Sequence, residues 1–226
     1  WSVMSEKTIR TSRIVLLGLT GAAVVLTRFD LALLILPAGL VLLWRIRGDW
    51  RRLLSLVTTM SIPILVWFAW SWLTYSTLLA NTFEAKTNVQ IPQGELITQG
   101  LRYVWVSLEK DPVTLLGLIL GLGLGLIVGP GILRAWAIGA IAYVGYTVWV
   151  GGDFMAGRFL AVPLLVAMFI VAAAPAWQIK GRPVGNPAIP VATGAVVLLF
   201  LVVQALPVWQ QSDVRVYHCL DCRKEF

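Results

Sequence analysis

The sequence has few charged residues. Asp, Glu, Lys and Arg make up only 13% of its 226 residues, whereas a soluble domain has about 25%. The charges that are present stand in short groups between apolar runs of about 15–25 residues, the length that a helix needs to cross a bilayer. A soluble helical protein with this sequence would expose a mostly apolar surface. The shortage of charge therefore predicts an integral membrane protein rather than a soluble domain.

Residues that bind metal ions are also scarce. The chain has one histidine and two cysteines, and they fall together as His218, Cys219 and Cys222. A structural zinc site needs four ligands, and the sequence offers no second pair of Cys or His residues. A disulfide between the two cysteines is conceivable on an oxidising side of the membrane, but their spacing alone does not establish it. We therefore predict no metal site from these residues.

The formal net charge of +7 does not indicate a nucleic-acid-binding protein. Such proteins gather Lys and Arg in a patch or stripe that follows the phosphate backbone. Here the basic residues flank apolar runs, and one set of loops, which includes Arg45, Arg47, Arg51 and Arg52, holds most of them. The remaining loops contain acidic and basic residues in nearly equal numbers. By the positive-inside rule, the first set of loops lies in the cytoplasm and the second set lies outside.

The apolar runs predict an all-α protein, a polytopic transmembrane helical bundle with about seven spans. The first two form a hairpin with Arg28, Phe29 and Asp30 at its tip. We expect residues 1–209 to form one transmembrane domain and residues 210–226 to form an external polar tail. Because the chain begins without methionine and has no signal-peptide pattern, we also expect it to be part of a longer polypeptide. The predicted spans are 14–27, 31–44, 53–79, 113–128, 135–150, 159–177 and 189–209.

A helix of another kind is predicted over residues 94–110. Apolar residues recur there at helical intervals, with Glu95, Gln99, Arg102 and Glu109 between them. This amphipathic helix is too polar to cross a membrane, so we expect it to lie on the outer surface. It either forms a lid over a membrane-embedded cleft or simply packs on the surface, and the sequence favours neither alternative.

The most informative segment is 150–160, in which Asp153 and Arg158 stand between two apolar helices. Ionisable groups at membrane depth cost about 2.5–3.5 kcal/mol each on insertion scales, so they tend to mark functional sites. Neighbouring glycines allow unusual backbone angles and the close approach of a ligand. The planar fork of Arg158 suits a phosphate, and Asp153 can accept a sugar hydroxyl, bind a divalent cation or orient Arg158. An interfacial Asp–Arg pair that only fixes a loop accounts for the same residues equally well.

The run WVGGDFMAGRFLAVPLL, residues 149–165, resembles the Gly-Gly-Asp-Phe-Met-x-Gly-Arg signature of a family of bacterial membrane glycosyltransferases. These enzymes have the GT-C fold and are similar to the mycobacterial terminal arabinofuranosyltransferase. Two weaker matches precede this run. Residues 26–30 resemble the Leu-Thr-Arg-x-Asp/Glu step of the group, and residues 81–86 resemble its Pro-Asn-Thr-x-Tyr-Ala-Lys segment. The latter departs from the pattern, because Ala80 replaces the proline and Glu84 replaces the tyrosine.

The resemblance implies transfer of a sugar, arabinofuranose or another pentose, from a polyprenyl-phosphate donor to a cell-envelope glycan at the outer face of the bacterial inner membrane. The family's catalytic aspartate lies in a first external loop that would precede Trp1, so no residue of this chain is assigned that role. The departing phosphate can be stabilised by fixed cations or by a divalent cation, and the sequence leaves both open. The substrate-binding residues that the resemblance implies are Asp153, Arg158, Arg28, Asp30, Asn81 and Lys86.

Two other functions fit a multi-span membrane protein. A transporter or flippase carries charges at the bilayer midplane and shows repeated halves, whereas here the polar motifs gather at one face and no internal repeat is found. A noncatalytic membrane scaffold on the same fold stays open, because the family's catalytic aspartate has no counterpart in the chain. The expected partners are the lipid bilayer, the lipid-linked donor and the glycan acceptor, with no nucleic acid.

Overall fold

The computed structural model describes residues 10–77, 91–127, 129–152 and 157–173, together with 178–179 and 182–183. Within these residues the chain forms seven α-helices and a single pair of two-residue antiparallel strands, β1 (Gln178–Ile179) and β2 (Arg182–Pro183). The helices are α1 (Thr11–Thr27), α2 (Leu31–Ile46), α3 (Trp50–Tyr75), α4 (Gln93–Lys110), α5 (Pro112–Ile127), α6 (Gly131–Trp149) and α7 (Ala161–Ala173).

Two of these helices, α3 and α6, are long and apolar enough to cross a membrane. Helices α4 and α5 pass the same test only as a pair, and the pair is bent by 108° at its break. The other three helices are apolar but shorter than 18 residues. The prediction of a helical membrane protein is confirmed to this extent: the described residues contain two candidate spans, or three if the bent pair is one span. The run predicted at 189–209 lies outside the described residues.

The helix ends follow from local chemistry. Residues 28–30 separate α1 from α2, as predicted, because Arg28 leaves the helical region with φ −155° and ψ 117°. Helix α3 ends at Ser76, which adopts the left-handed conformation with φ 54°. Asp111 lies between α4 and α5 and accepts hydrogen bonds from the backbone N–H of Thr114 at 3.1 Å and from its hydroxyl at 2.5 Å. This capping begins α5 with Pro112 at its first position, where a missing N–H costs nothing.

Close approach of small residues joins the helices. Helix α1 packs mainly on α3, α2 on α6, and α5 on α6 and α7. A side chain at Gly139 of α6 would collide with the backbone carbonyl of Leu34 in α2, and one at Gly121 of α5 would collide with the backbone of Ala167 in α7. Small residues at such crossings allow helices to pack tightly where no water drives their association.

Apolar packing is divided between two clusters. The larger one contains fifteen buried residues, among them Tyr143, Phe159 and Leu160, and draws on α2, α4, α5, α6 and α7. The smaller one contains Ile14, Leu42, Ile46 and Leu56, from the beginning of α1, the end of α2 and the beginning of α3. Because α1 is 17 residues long, the smaller cluster lies about 20–25 Å from the turn at residues 28–30. The hairpin therefore has two chemically different ends.

Candidate functional site

An ion pair occupies the turn between α1 and α2. The Nε atom of Arg28 donates to Oδ1 of Asp30 at 3.1 Å, and its Nη2 atom donates to Oδ2 at 2.5 Å. This bidentate geometry is the strong form of an Arg–carboxylate contact. The side chains are 32% and 13% exposed respectively, so Arg28 reaches the surface while Asp30 is largely covered.

Tyr143 of α6, the helix that packs against α2, completes this polar group. Its hydroxyl accepts a hydrogen bond from Nη2 of Arg28 at 3.1 Å and donates one to Oδ2 of Asp30 at 3.3 Å. The Tyr143 side chain is fully buried, and a buried tyrosine hydroxyl needs partners of this kind. The contact fixes the turn between α1 and α2 against α6.

The aromatic ring of Phe159 holds the guanidinium of Arg28 from another direction. Cζ of Arg28 lies 4.7 Å from the ring centroid, and the ring itself is 3% exposed. A cation placed over an aromatic face at this distance is attracted by the electron density of the ring. Phe159 follows Arg158 directly, so the contact brings Arg28, Asp30 and Arg158 to one end of the bundle.

The glycines that precede Asp153 form a tight turn after α6. Gly151 and Gly152 have φ values of +86° and +76°, a region that glycine adopts without a steric penalty. The N–H of Gly152 donates to the carbonyl of Thr147 at 2.8 Å. A side chain at Gly152 would come within 2.7 Å of the ring of Tyr103 in α4. Position 152 therefore requires glycine for two reasons: its positive φ and the closeness of the Tyr103 ring.

Tyr103 contacts both flanks of the segment 153–156. Its ring covers Gly152, and its hydroxyl accepts a hydrogen bond from the backbone N–H of Phe159 at 3.2 Å. Helix α4 is held close to α6 at the same place, because the side-chain amide of Gln93 donates to the carbonyl of Trp149 at 2.8 Å. Helix α4 thus packs its buried face against the turn that carries the Gly-Gly-Asp motif.

Arg158 lies at the entrance to α7. Gly157, with φ +78°, turns the chain so that its carbonyl accepts hydrogen bonds from the N–H groups of Leu160 and Ala161 at 2.9 and 3.1 Å. Arg158 is exposed, whereas Phe159 and Leu160 on its carboxyl side are buried. The predicted site residues Asp153, Asn81 and Lys86 lie outside the described residues, as do His218, Cys219 and Cys222.

An apolar groove lies along the hairpin of α1 and α2, and its lining reaches Val24 and Ala32, within about one helical turn of residues 28–30. It has a volume of about 330 Å³ and lies between α1, α2 and α3, with Trp136 of α6 contributing one wall. Val24 and Ala32 line it close to the turn, and Leu43 and Leu56 line it towards the other end of the hairpin. Among the described residues that line the groove, Thr20 and Ser61 are the polar ones and none is charged. The surface of the groove is therefore apolar along nearly its whole lining.

The sequence did not identify Tyr103, Tyr143 or Phe159 as members of this site. Phe159 had an available signal, because it stands inside the motif next to Arg158. The two tyrosines belong to helices with an apolar or amphipathic sequence pattern. Such a pattern predicts the helix, but it does not predict which distant residue each hydroxyl contacts. Their roles follow from helix packing alone.

The described residues do not form a divalent-cation site. They contain no group of three or more His, Cys, Asp or Glu side chains that could hold a metal ion. Asp30, which belongs to the site, already has its two oxygens engaged by Arg28 and Tyr143. Comparison with known proteins finds no match for the chain among family models, curated proteins or solved structures.

Proposed function

We propose that the chain is part of a GT-C-type membrane glycosyltransferase, which transfers a pentose such as arabinofuranose from a polyprenyl-phosphate donor to a cell-envelope glycan. One observation carries this proposal: an arginine held in a polar and aromatic setting lies about one helical turn beyond Val24, which lines an apolar groove. That combination suits a ligand with an anionic head and a long hydrocarbon tail. A polyprenyl-phosphate sugar is such a ligand.

The charge of the site supports binding of the phosphate. Arg28 forms an ion pair with Asp30, and the exposed Arg158 lies at the same end of the bundle, so two guanidinium groups are close enough to serve one anionic ligand. A guanidinium has five N–H donors in a planar fork whose geometry matches the oxygens of a phosphate. In the proposed complex Arg158 binds the phosphate, and Arg28 contributes from its fixed position against Phe159.

The position of the groove supports binding of the prenyl chain. Leu36 and Leu40, which line it on α2, are each 56% exposed, so the groove opens at the side of the bundle. In a bilayer this side faces lipid, and a prenyl chain can enter without passing through water. A flippase also needs a lipid groove, but its head-group path must be polar. The lining of this groove is almost entirely apolar. It therefore favours a transferase, in which the head group stays at one end of the groove, over a flippase.

The proposed reaction needs little from the chain beyond positioning and charge. The acceptor hydroxyl attacks the anomeric carbon of the donor, the bond from that carbon to the phosphate oxygen breaks, and the polyprenyl phosphate leaves with the bonding electrons. Arg158 and Arg28 stabilise the growing negative charge on the phosphate. A carboxylate takes the proton of the acceptor hydroxyl, and we place that carboxylate in a preceding external loop of the longer polypeptide.

The proposal includes a finer topology than the candidate spans alone. It has about seven crossings of a bacterial inner membrane within residues 1–209, a polar tail at 210–226, and the site at the outer face. The acceptor glycan approaches from outside, where α4 covers the turn that carries the motif.

The test is a transfer assay with the full-length polypeptide in proteoliposomes. Radiolabelled polyprenyl-phosphate pentoses and hexoses are supplied with an oligosaccharide acceptor, and product formation is measured. We expect transfer from a polyprenyl-phosphate sugar and none from the matching nucleotide sugar, because only the former fills the groove. Movement of a fluorescent lipid across the bilayer without any transfer would show a flippase instead.

A further inference from the structure

The end of the hairpin opposite Arg28 has a distinct surface, which we call the basic turn. It consists of the exposed or half-exposed arginines around the α2–α3 connection and one aspartate. The smaller apolar cluster places the beginning of α1, with Arg10 and Arg13, at the same end, because Ile14 packs against Ile46 and Leu56. The residues of the basic turn are Arg45, Arg47, Asp49, Arg51 and Arg52.

Two arginines of the basic turn lie on exposed tryptophan rings. Cζ of Arg47 is 4.8 Å from the ring centroid of Trp44, and Cζ of Arg51 is 5.7 Å from that of Trp50. The two tryptophans are 65% and 67% exposed, although they are among the largest apolar groups in the chain. Tryptophan at the end of an apolar helix prefers the head-group level of a bilayer, with its ring between hydrocarbon and water.

The acid of the basic turn does not neutralise these two arginines. Asp49 is engaged by Arg52, whose Nε atom lies 3.0 Å from Oδ2 and whose backbone N–H donates to Oδ1 at 3.2 Å. That contact caps the first turn of α3 and uses both carboxylate oxygens. Among the described residues, Arg47 and Arg51 are thus directed by tryptophan rings rather than by a carboxylate, and their charge can attract an anion.

We propose that the basic turn binds the head groups of anionic phospholipids. The rings of Trp44 and Trp50 lie at the boundary of the hydrocarbon and hold the guanidinium groups of Arg47 and Arg51 at the depth of the lipid phosphates. The net negative charge of the head group, which has no ammonium group to balance its phosphate, is what these two arginines distinguish. This site is separate from the donor site, since the hairpin places them at opposite ends, and it does not depend on the proposed sugar transfer.

The experiment titrates the protein in neutral detergent with phosphatidylglycerol or phosphatidylcholine and counts bound lipids by native mass spectrometry. The wild type should bind phosphatidylglycerol more tightly than phosphatidylcholine. In the double variant Arg47→Gln/Arg51→Gln, the Kd for one tightly bound phosphatidylglycerol should rise about 25-fold, at about fivefold for each arginine near an anionic lipid surface. Binding of phosphatidylcholine should not change.

The matched control is Arg102→Gln/Lys110→Gln, which removes the same charge from the exposed side of α4. Arg28 and Arg158 are kept in both variants, so any lipid bound at the donor site contributes equally. We expect the control to bind phosphatidylglycerol as the wild type does. Equal losses in the two variants would show a general charge effect and overturn the proposal, and so would a wild type with no preference between the two lipids.

Discussion

The guanidinium of Arg28 lies over the ring of Phe159, with Cζ 4.7 Å from the ring centroid. This contact joins the first helical hairpin to the segment that follows Gly157 and Arg158. Two segments that are far apart in the sequence thereby form one site at one end of the bundle. The predictions below test this site and the orientation proposed for it.

Replacing Phe159 with leucine should weaken donor binding while keeping the protein folded. Leucine preserves an apolar side chain but removes the aromatic face that holds Arg28, an interaction worth about 0.5–2 kcal/mol. We therefore expect the Kd for a polyprenyl-phosphate sugar to rise about 2- to 30-fold, as measured by fluorescence titration. Phe169→Leu, on the exposed side of α7, is the matched control and should bind normally. Equal affinities for all three proteins would remove Phe159 from the site.

Replacing Arg158 with alanine should abolish donor binding and transfer without affecting membrane insertion. The side chain is exposed, so its loss leaves the packing around Phe159 and Leu160 intact. Arg134→Ala, at the beginning of α6 on the opposite face, is the matched control. Binding of radiolabelled donor to proteoliposomes and carbonate-resistant membrane content are the two measurements. Unchanged transfer by Arg158→Ala would contradict the role given to this residue.

Replacing Gly152 with alanine should destabilise the protein by about 1–3 kcal/mol or more, because the new side chain has a positive φ and meets the ring of Tyr103. Gly145→Ala, in α6, is the matched control, since a side chain there meets no atom within 4 Å among the described residues. The control should be neutral or more stable by about 0.5–1 kcal/mol, as expected for alanine in a helix. The midpoints of thermal unfolding in detergent are measured for the two variants. Equal midpoints would contradict the predicted collision of the new side chain with Tyr103.

Cysteine labelling should place Ser76 and Thr98 on the outer side of the membrane and Gly48 on the inner side. All three residues are exposed, and the experiment uses a background in which Cys219 and Cys222 are serine. A membrane-impermeant maleimide applied to intact cells should label Ser76→Cys and Thr98→Cys but label Gly48→Cys only after lysis. Labelling of one outer position but not the other would contradict the proposal that the end of α3 and helix α4 lie on the same side of the membrane.

The sequence predicted local features well where charge interrupts an apolar pattern. Arg28 and Asp30 cannot continue a lipid-facing helix at low cost, and they mark the turn between α1 and α2. The amphipathic spacing over 94–110 likewise predicted α4, which begins at Gln93 and ends at Lys110. The number of spans was harder to predict, since an apolar run of 13–17 residues, as in α1, α2 and α7, specifies a helix without specifying whether it crosses.

The composition of the site was only partly predictable. Arg28, Asp30 and Arg158 carry charges in an apolar chain, which made them visible. Tyr103 and Tyr143 act through hydroxyls that meet partners on other helices, and apolar periodicity does not say which helices are neighbours. The contact of Tyr143 with Asp30 depends on the packing of α6 against α2, where Gly139 lets the two backbones approach.

The bend of 108° between α4 and α5 separates a helix that packs on the motif turn from one that packs on α6 and α7. Asp111 caps both helices, because its N–H donates to the carbonyl of Ser107 in α4 and its carboxylate accepts the N–H of Thr114 in α5. Helix α5 has 16 residues and is about 24 Å long, less than the hydrocarbon thickness of most bilayers, and such a mismatch is relieved by tilting or by thinning of the lipid. Because Tyr103 of α4 meets Gly152 and accepts the N–H of Phe159, a change in the tilt of α4 would alter the geometry of the motif turn.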